Sequence, residues 1–106
     1  MIELQTVRRV TVYTASALED SLLSHFTALG ARGYTVTPCR GKGSHGVMSD
    51  PLTGSSHSRI ELLVPPNVGE KILMYLEAEH LRHHAITACM EDVLVAKSWQ
   101  SADAAG

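Results

Sequence analysis

Two segments of this chain carry apolar residues at the spacing of a helix face, and each stands between runs rich in β-branched residues. Leu18, Leu22, Phe26 and Leu29 recur at intervals of four and three, and Val68, Ile72 and Leu76, with Leu73 adjacent, do the same. Four strands are expected around them, at residues 4–14, 34–40, 59–64 and 86–95. The order is therefore β-α-β-β-α-β. Two β-α-β halves with right-handed crossovers put both helices on one face of a four-stranded antiparallel sheet, the α+β ferredoxin-like two-layer sandwich.

The residues between these elements fit that order. Ser16 is placed to cap the first helix, with Glu19 three residues on reaching back to the cap. Gly30 and Gly33 supply its stop. Pro38 within the second strand cannot donate to a ladder, so that strand belongs at an edge. Pro65 and Pro66 end the third strand, Asn67 with Glu70 repeats the capping pattern, and residues 80–84 (HLRHH) close the second helix. Residues 1–97 form the domain, and 98–106, small and polar apart from Trp99, form a frayed tail.

With both helices on one face, the other face of the sheet needs a cover. The last strand offers apolar residues on both sides: Ile86, Ala88, Met90 and Leu94 against Cys89, Val93 and Val95. A sheet open to water should alternate more cleanly. Burial in a closed oligomeric ring follows as the expectation.

Composition narrows the partners. A formal net charge of −2 argues against a nucleic-acid binder, which carries a basic surplus. No signal-peptide pattern opens the chain, and no apolar run approaches the roughly 20 residues that span a bilayer, so a cytoplasmic protein without membrane insertion is expected. Cys39 and Cys89 show no C-x-x-C spacing and read as small hydrophobes in strands.

Residues 41–57 lack periodicity, and hold four glycines, a proline and five Ser or Thr residues. A mobile loop of this length in a compact domain is usually functional or disordered. It opens with Arg40, Gly41, Lys42, Gly43, Ser44, His45 and Gly46, a literal G-x-G-x-x-G without the helix that a dinucleotide fold requires. Two readings stay open: an anion nest of backbone N–H groups beside Lys42, Ser44 and Arg40, or a solvated turn. His80, His83 and His84 at a helix end allow a metal site, although no carboxylate or cysteine completes a signature and no metal is expected. Glu91 and Asp92 are adjacent in a strand and point to opposite faces, so they do not form a catalytic pair. Ser44 near His45 and His57 lacks an orienting acid, and no catalytic residue is assigned.

The run Gly33-Tyr-Thr-Val-Thr37, followed by Gly41-Lys-Gly43 and a long loop, resembles the PII signal-transduction superfamily. Its G-x-T-V-T strand and G-x-G turn form the base of the family's T-loop, here about residues 42–57. Within the superfamily the chain is most similar to the bicarbonate-transporter-associated and carboxysome-associated PII-like proteins, the latter favoured. The resemblance implies a non-catalytic homotrimer with an adenine nucleotide in each cleft between subunits, and a T-loop that signals inorganic-carbon or energy state to a transporter or carboxysome component.

Carried over residue by residue, the resemblance assigns Gly33 and Thr35 to the base-contacting strand. Gly41, Lys42, Gly43 and Ser44 match the turn beside the phosphates. His83, His84, Ala85 and Ile86 match the second phosphate loop. Typical PII proteins have Gly-Asp-Gly-Lys there; residues 82–85 (RHHA) replace it, and loss of that lysine favours ADP or AMP over a triphosphate. The T-loop has no tyrosine, so control by uridylylation is not expected. Arg40, Lys42, Ser44 and Arg59 are the candidates for a second small anion, bicarbonate, with Arg59 facing that site or else only Glu61 or solvent. The alternative is a CutA-like metal-binding trimer using His80, His83 and His84.

Overall fold

The structure is a computed structural model that describes residues 1–43, 46–47, 57–80 and 86–98. Strand β1 (Leu4–Ala15) leads through a 3-10 turn (Ser16–Leu18) into α1 (Glu19–Ala28). Strand β2 (Thr35–Cys39) comes next, then two short strands, β3 (Lys42–Gly43) and β4 (Gly46–Val47). Strand β5 (His57–Val64), helix α2 (Pro66–Glu79) and strand β6 (Thr87–Ala96) complete the order. The main sheet is antiparallel in the order β2-β5-β1-β6, so both edges are as the ferredoxin-like arrangement requires and Pro38 lies on one of them.

The helices pack on one face. Val10 and Val12 of β1 and Ile60, Leu62 and Val64 of β5 are buried against Leu22 and Phe26 of α1 and Val68, Ile72 and Leu76 of α2. Each large apolar side chain so sealed contributes about 1.5–3 kcal/mol. Gly30 ends α1 with φ 119°, a left-handed conformation in which a side chain is strained. A Cβ there would also lie 3.1 Å from Val68 Cγ2, so the turn brings α1 close onto α2.

The expected helix caps are not formed. Ser16 Oγ lies 3.1 Å from Ser58 Oγ, and Ser58 Oγ donates to Glu19 Oε1 at 2.9 Å. Ser16 and Glu19 are thus tied to buried Ser58 on β5 in place of capping α1, because a polar group buried in the sheet must find a partner. At α2 the cap position is Pro65 and Pro66 begins the helix, which leaves Asn67 already inside it. Glu70 instead pairs with Arg8 at 3.3 Å.

The segment expected to be a structureless loop begins as a two-stranded ladder, with Lys42 opposite Val47 and Gly43 opposite Gly46. Two residues per strand are too few to leave a period in the sequence. The rest of the expected T-loop, residues 44–45 and 48–56, lies outside the described residues, as does the tail from Trp99. Among the described residues no helix is long and apolar enough to cross a membrane.

Candidate functional site

Of the described candidates, Thr35 and Arg59 lie on the face of the sheet away from the helices. Register places Thr35 opposite Glu61, and Thr37 opposite Arg59. Residue alternation then sets Thr35, Thr37, Arg59 and Glu61 on one side, opposite to buried Ile60 and Leu62. On β1 the same side carries Arg9, Thr11 and Tyr13, and on β6 it carries Cys89 and Glu91. Arg9, Thr11, Tyr13, Arg59, Glu61, Cys89 and Glu91 line a shallow depression of about 350 Å³.

Both arginines in this depression are already engaged. Arg9 donates to Glu91 Oε1 from Nε at 2.9 Å and from Nη2 at 2.6 Å. That carboxylate, by its hydrogen bond and then its charge, raises the Arg9 pKa further above its ordinary value. Arg59 Nε lies 3.1 Å from Glu61 Oε1, an ion pair out of line for a hydrogen bond. Of the possibilities open to Arg59 from sequence, the structure shows the pairing with Glu61, and it lies on the same face as Thr35. An anion that takes Arg59 must compete with Glu61 or draw on a donor that Glu61 leaves unused.

Cys89, Val93 and Val95 lie on the open side of the last strand, in the phase expected from sequence, and the centre of that face is polar. Its centre holds two Arg–Glu pairs and Thr11, Tyr13 and Cys89. Cys89 is exposed, not packed as a small hydrophobe, because its alternation phase aims it away from the helices. Apolar groups gather toward one end, where buried Val7 pairs with half-buried Val93. Glu91 and Asp92 do point to opposite faces, with Asp92 on the helix side 3.3 Å from Arg8. Arg9, Thr11 and Tyr13 were missed in the sequence; their signal is the polar phase of β1 interleaved with Val10, Val12 and Thr14.

The other candidates occupy strand ends and turns. Gly33 and Thr35 are exposed at the start of β2, and Arg40 and Gly41 are exposed where it ends. A Cβ on Gly33 or Gly41 would meet nothing within 4 Å, so both backbones are open to approach. Lys42 and Gly43 are placed by their backbone in β3. Ile86 is 7% exposed and belongs to the core, so a ligand there would meet its backbone and not its side chain. Ser44, His83, His84 and Ala85 lie outside the described residues.

His80 occupies the C-terminal cap of α2, its N–H bonded to Leu76 O. Its Nε2 is 2.8 Å from the Tyr75 hydroxyl. Among the described residues no three His, Cys, Asp or Glu side chains gather as metal ligands.

The model of the nitrogen regulatory protein P-II family matches residues 7–99. A PII-like signaling protein from Thermus thermophilus is 33% identical, with 93% of this chain and 98% of that one covered and a TM-score of 0.78. The chain belongs to the P-II family. CPII from Thiomonas intermedia K12, a nitrogen regulatory PII-like protein solved bound to ADP, AMP and bicarbonate, superposes with a TM-score of 0.83 at 19% identity, covering 94% of this chain and 97% of its own. CutA from Synechococcus elongatus PCC7942 superposes with a TM-score of 0.67 at 10% identity, over 93% of this chain and 94% of that one. At these identities CPII and CutA share the fold. No curated protein sequence matches.

Proposed function

We propose that this protein is a non-catalytic sensor of ADP or AMP, with bicarbonate as co-ligand, acting as a homotrimer in the cytoplasm. The nucleotide lies in the cleft between subunits, against Gly33 and Thr35 on one side and the turn of Gly41, Lys42, Gly43 and Ser44 on the other. His83, His84, Ala85 and the backbone of Ile86 close over the phosphates. Arg40, Lys42, Ser44 and Arg59 receive the smaller anion, with Arg59 exchanging its Glu61 contact for it. Ordering of the T-loop, about residues 42–57, then reports inorganic-carbon or energy state to a bicarbonate transporter or a carboxysome component.

The observation that carries this reading is membership of the P-II family joined to the fold shared with CPII, solved with ADP, AMP and bicarbonate. A second CPII structure holds acetate beside ADP and AMP. A small carboxylate-type anion next to a nucleotide is therefore compatible with this architecture. The open face with its two ion pairs suits a polar contact between copies, which are needed to complete each cleft.

Thermal shift separates the candidates, with AMP, ADP, ATP, bicarbonate and divalent copper added singly and in pairs. A ligand at about 100 times its Kd stabilises by about 2.7 kcal/mol. ADP or AMP is expected to raise Tm, and bicarbonate to add to that rise. No shift with any adenine nucleotide overturns the reading, and a shift with copper alone favours the CutA-like metal alternative.

A further inference from the structure

A carboxylate stands beside the arginine that the proposed function gives to an anion. Glu61 follows Arg59 by two residues on β5, so the pleat sets both on the open face, and both are half-buried there. Arg59 Nε lies 3.1 Å from Glu61 Oε1, and it is a buried donor that meets no acceptor in line among the described residues. Hydroxyl-bearing residues flank the pair on the same side: Thr11 and Thr35 oppose Glu61, and Tyr13 and Thr37 oppose Arg59. Glu61 is paired through its backbone with β1 on one side and β2 on the other, so it cannot leave the face without breaking the ladder.

The depression offers an anion no surplus of positive charge. Its two arginines face two glutamates, and Arg9, already bound to Glu91, also feels the charge of Glu61. An acceptor that satisfied Arg59 Nε would lie close to the Glu61 carboxylate, since the two groups are 3.1 Å apart. Oxygens that can only accept repel one another at such spacing unless a proton stands between them. Bicarbonate brings that proton: its charged oxygens accept from the guanidinium while its hydroxyl donates to Glu61. Acetate has the same planar carboxylate and the same charge, with a methyl group where bicarbonate has the hydroxyl.

We propose that Glu61 is a specificity-determining residue of the anion site: it admits a small planar anion that carries a hydroxyl donor and rejects one that only accepts. Rejection comes from the unpaired carboxylate set against the wrong anion, as much as from contacts made to the right one. This deepens the proposed function and rests on its assignment of Arg59 to a bicarbonate co-ligand.

Acetate and bicarbonate together isolate the donor. ADP is titrated by calorimetry into the wild type and Glu61→Gln, with bicarbonate, acetate or chloride at equal ionic strength. In the wild type bicarbonate is expected to tighten ADP binding about tenfold more than acetate does, the size of a hydrogen bond to a charged group. Glu61→Gln removes the negative charge and supplies a donor, and the two anions are expected to come within about twofold of each other as acetate gains. A merely structural glutamate, once replaced, would weaken both anions alike and leave their ratio where it was.

Equal tightening by the two anions in the wild type, or an unchanged ratio in Glu61→Gln, overturns the inference and leaves the bicarbonate co-ligand standing. If neither anion changes ADP affinity in the wild type, the co-ligand reading falls and the inference with it. If the wild type binds no ADP, the rise in Tm with each anion alone is compared between the two proteins and read by the same ratio. Should Glu61→Gln fail to fold, formate and nitrate, which also only accept, extend the wild-type comparison. Tightening by either one equal to that of bicarbonate overturns the inference, and tightening by bicarbonate alone supports it.

Discussion

On the helix-covered face of the sheet, Val10, Val12, Ile60 and Leu62 are sealed against Leu22, Phe26, Ile72 and Leu76, whereas on the other face of the sheet half-buried Arg9, Tyr13 and Arg59 and exposed Glu91 line a shallow depression. One backbone serves both faces, and successive residues such as Thr11 and Val12 belong to opposite ones. The covered face is packed against both helices through these apolar side chains, so it specifies the fold. The open face carries two Arg–Glu ion pairs at its centre, the groups that the proposed function re-pairs with a second subunit or an anion. The packed core and the paired charges are thus separated by the thickness of the sheet.

The largest break in this comparison is expected on the covered face. Phe26→Ala should cost about 3–5 kcal/mol, read as a lower denaturation midpoint. Val12→Thr buries a hydroxyl at a fully enclosed position and should cost about 1–3 kcal/mol, while the neighbouring Thr11→Val should stay within about 0.5 kcal/mol in a monomer. Equal effects of those two substitutions would remove the distinction between the faces.

On the open face, charge matters through assembly. Glu91→Arg sets a second cation against Arg9 and is expected to shift sedimentation from three times the 11.5 kDa chain mass toward one, with the monomer still folded. A wild type that sediments as a monomer at micromolar concentration would show that the open face is not an interface between copies. Gly30→Ala, at the turn of the covered layer, combines positive φ with the approach of Val68 and is expected to cost about 1–2 kcal/mol by denaturation.

The smallest effect concerns alkaline pH. Burial, and after it the charge of Glu79, give Tyr75 a folded pKa above its unfolded value of 10.0, so the unfolded chain loses this proton first as pH rises. The contribution is present below pH 10.0 and is lost as pH climbs through the raised folded pKa. Denaturation midpoints followed upward from pH 9 should fall less steeply in Tyr75→Phe than in the wild type.

The same division explains how much was legible in the sequence. Helix periods at Leu22 and Phe26, or at Ile72 and Leu76, and strand alternation at Ile60, Leu62 and Val64 are local patterns, and they led to the correct layers. Caps were misread because Ser58, about forty residues away, claims Ser16 and Glu19, and because Pro66 takes the helix start from Asn67. Pairing across strands is likewise invisible locally. Thr35 and Arg59 were both named as site residues, but only the β2–β5 register sets them on one face, and only the β1–β6 register brings Glu91 to Arg9. The Tyr75–His80 bond at the end of α2 needs no such register, since the two are five residues apart, yet no helix-face spacing marks it.

Calorimetry with ADP, in the presence and absence of bicarbonate, tests the central claim most directly. One ADP per subunit, bound more tightly when bicarbonate is present, is the expected result, with the tightening weakened in Arg59→Ala. Absence of ADP binding by a folded protein, or an affinity that bicarbonate and Arg59→Ala leave unchanged, would contradict a nucleotide-and-anion site on this face.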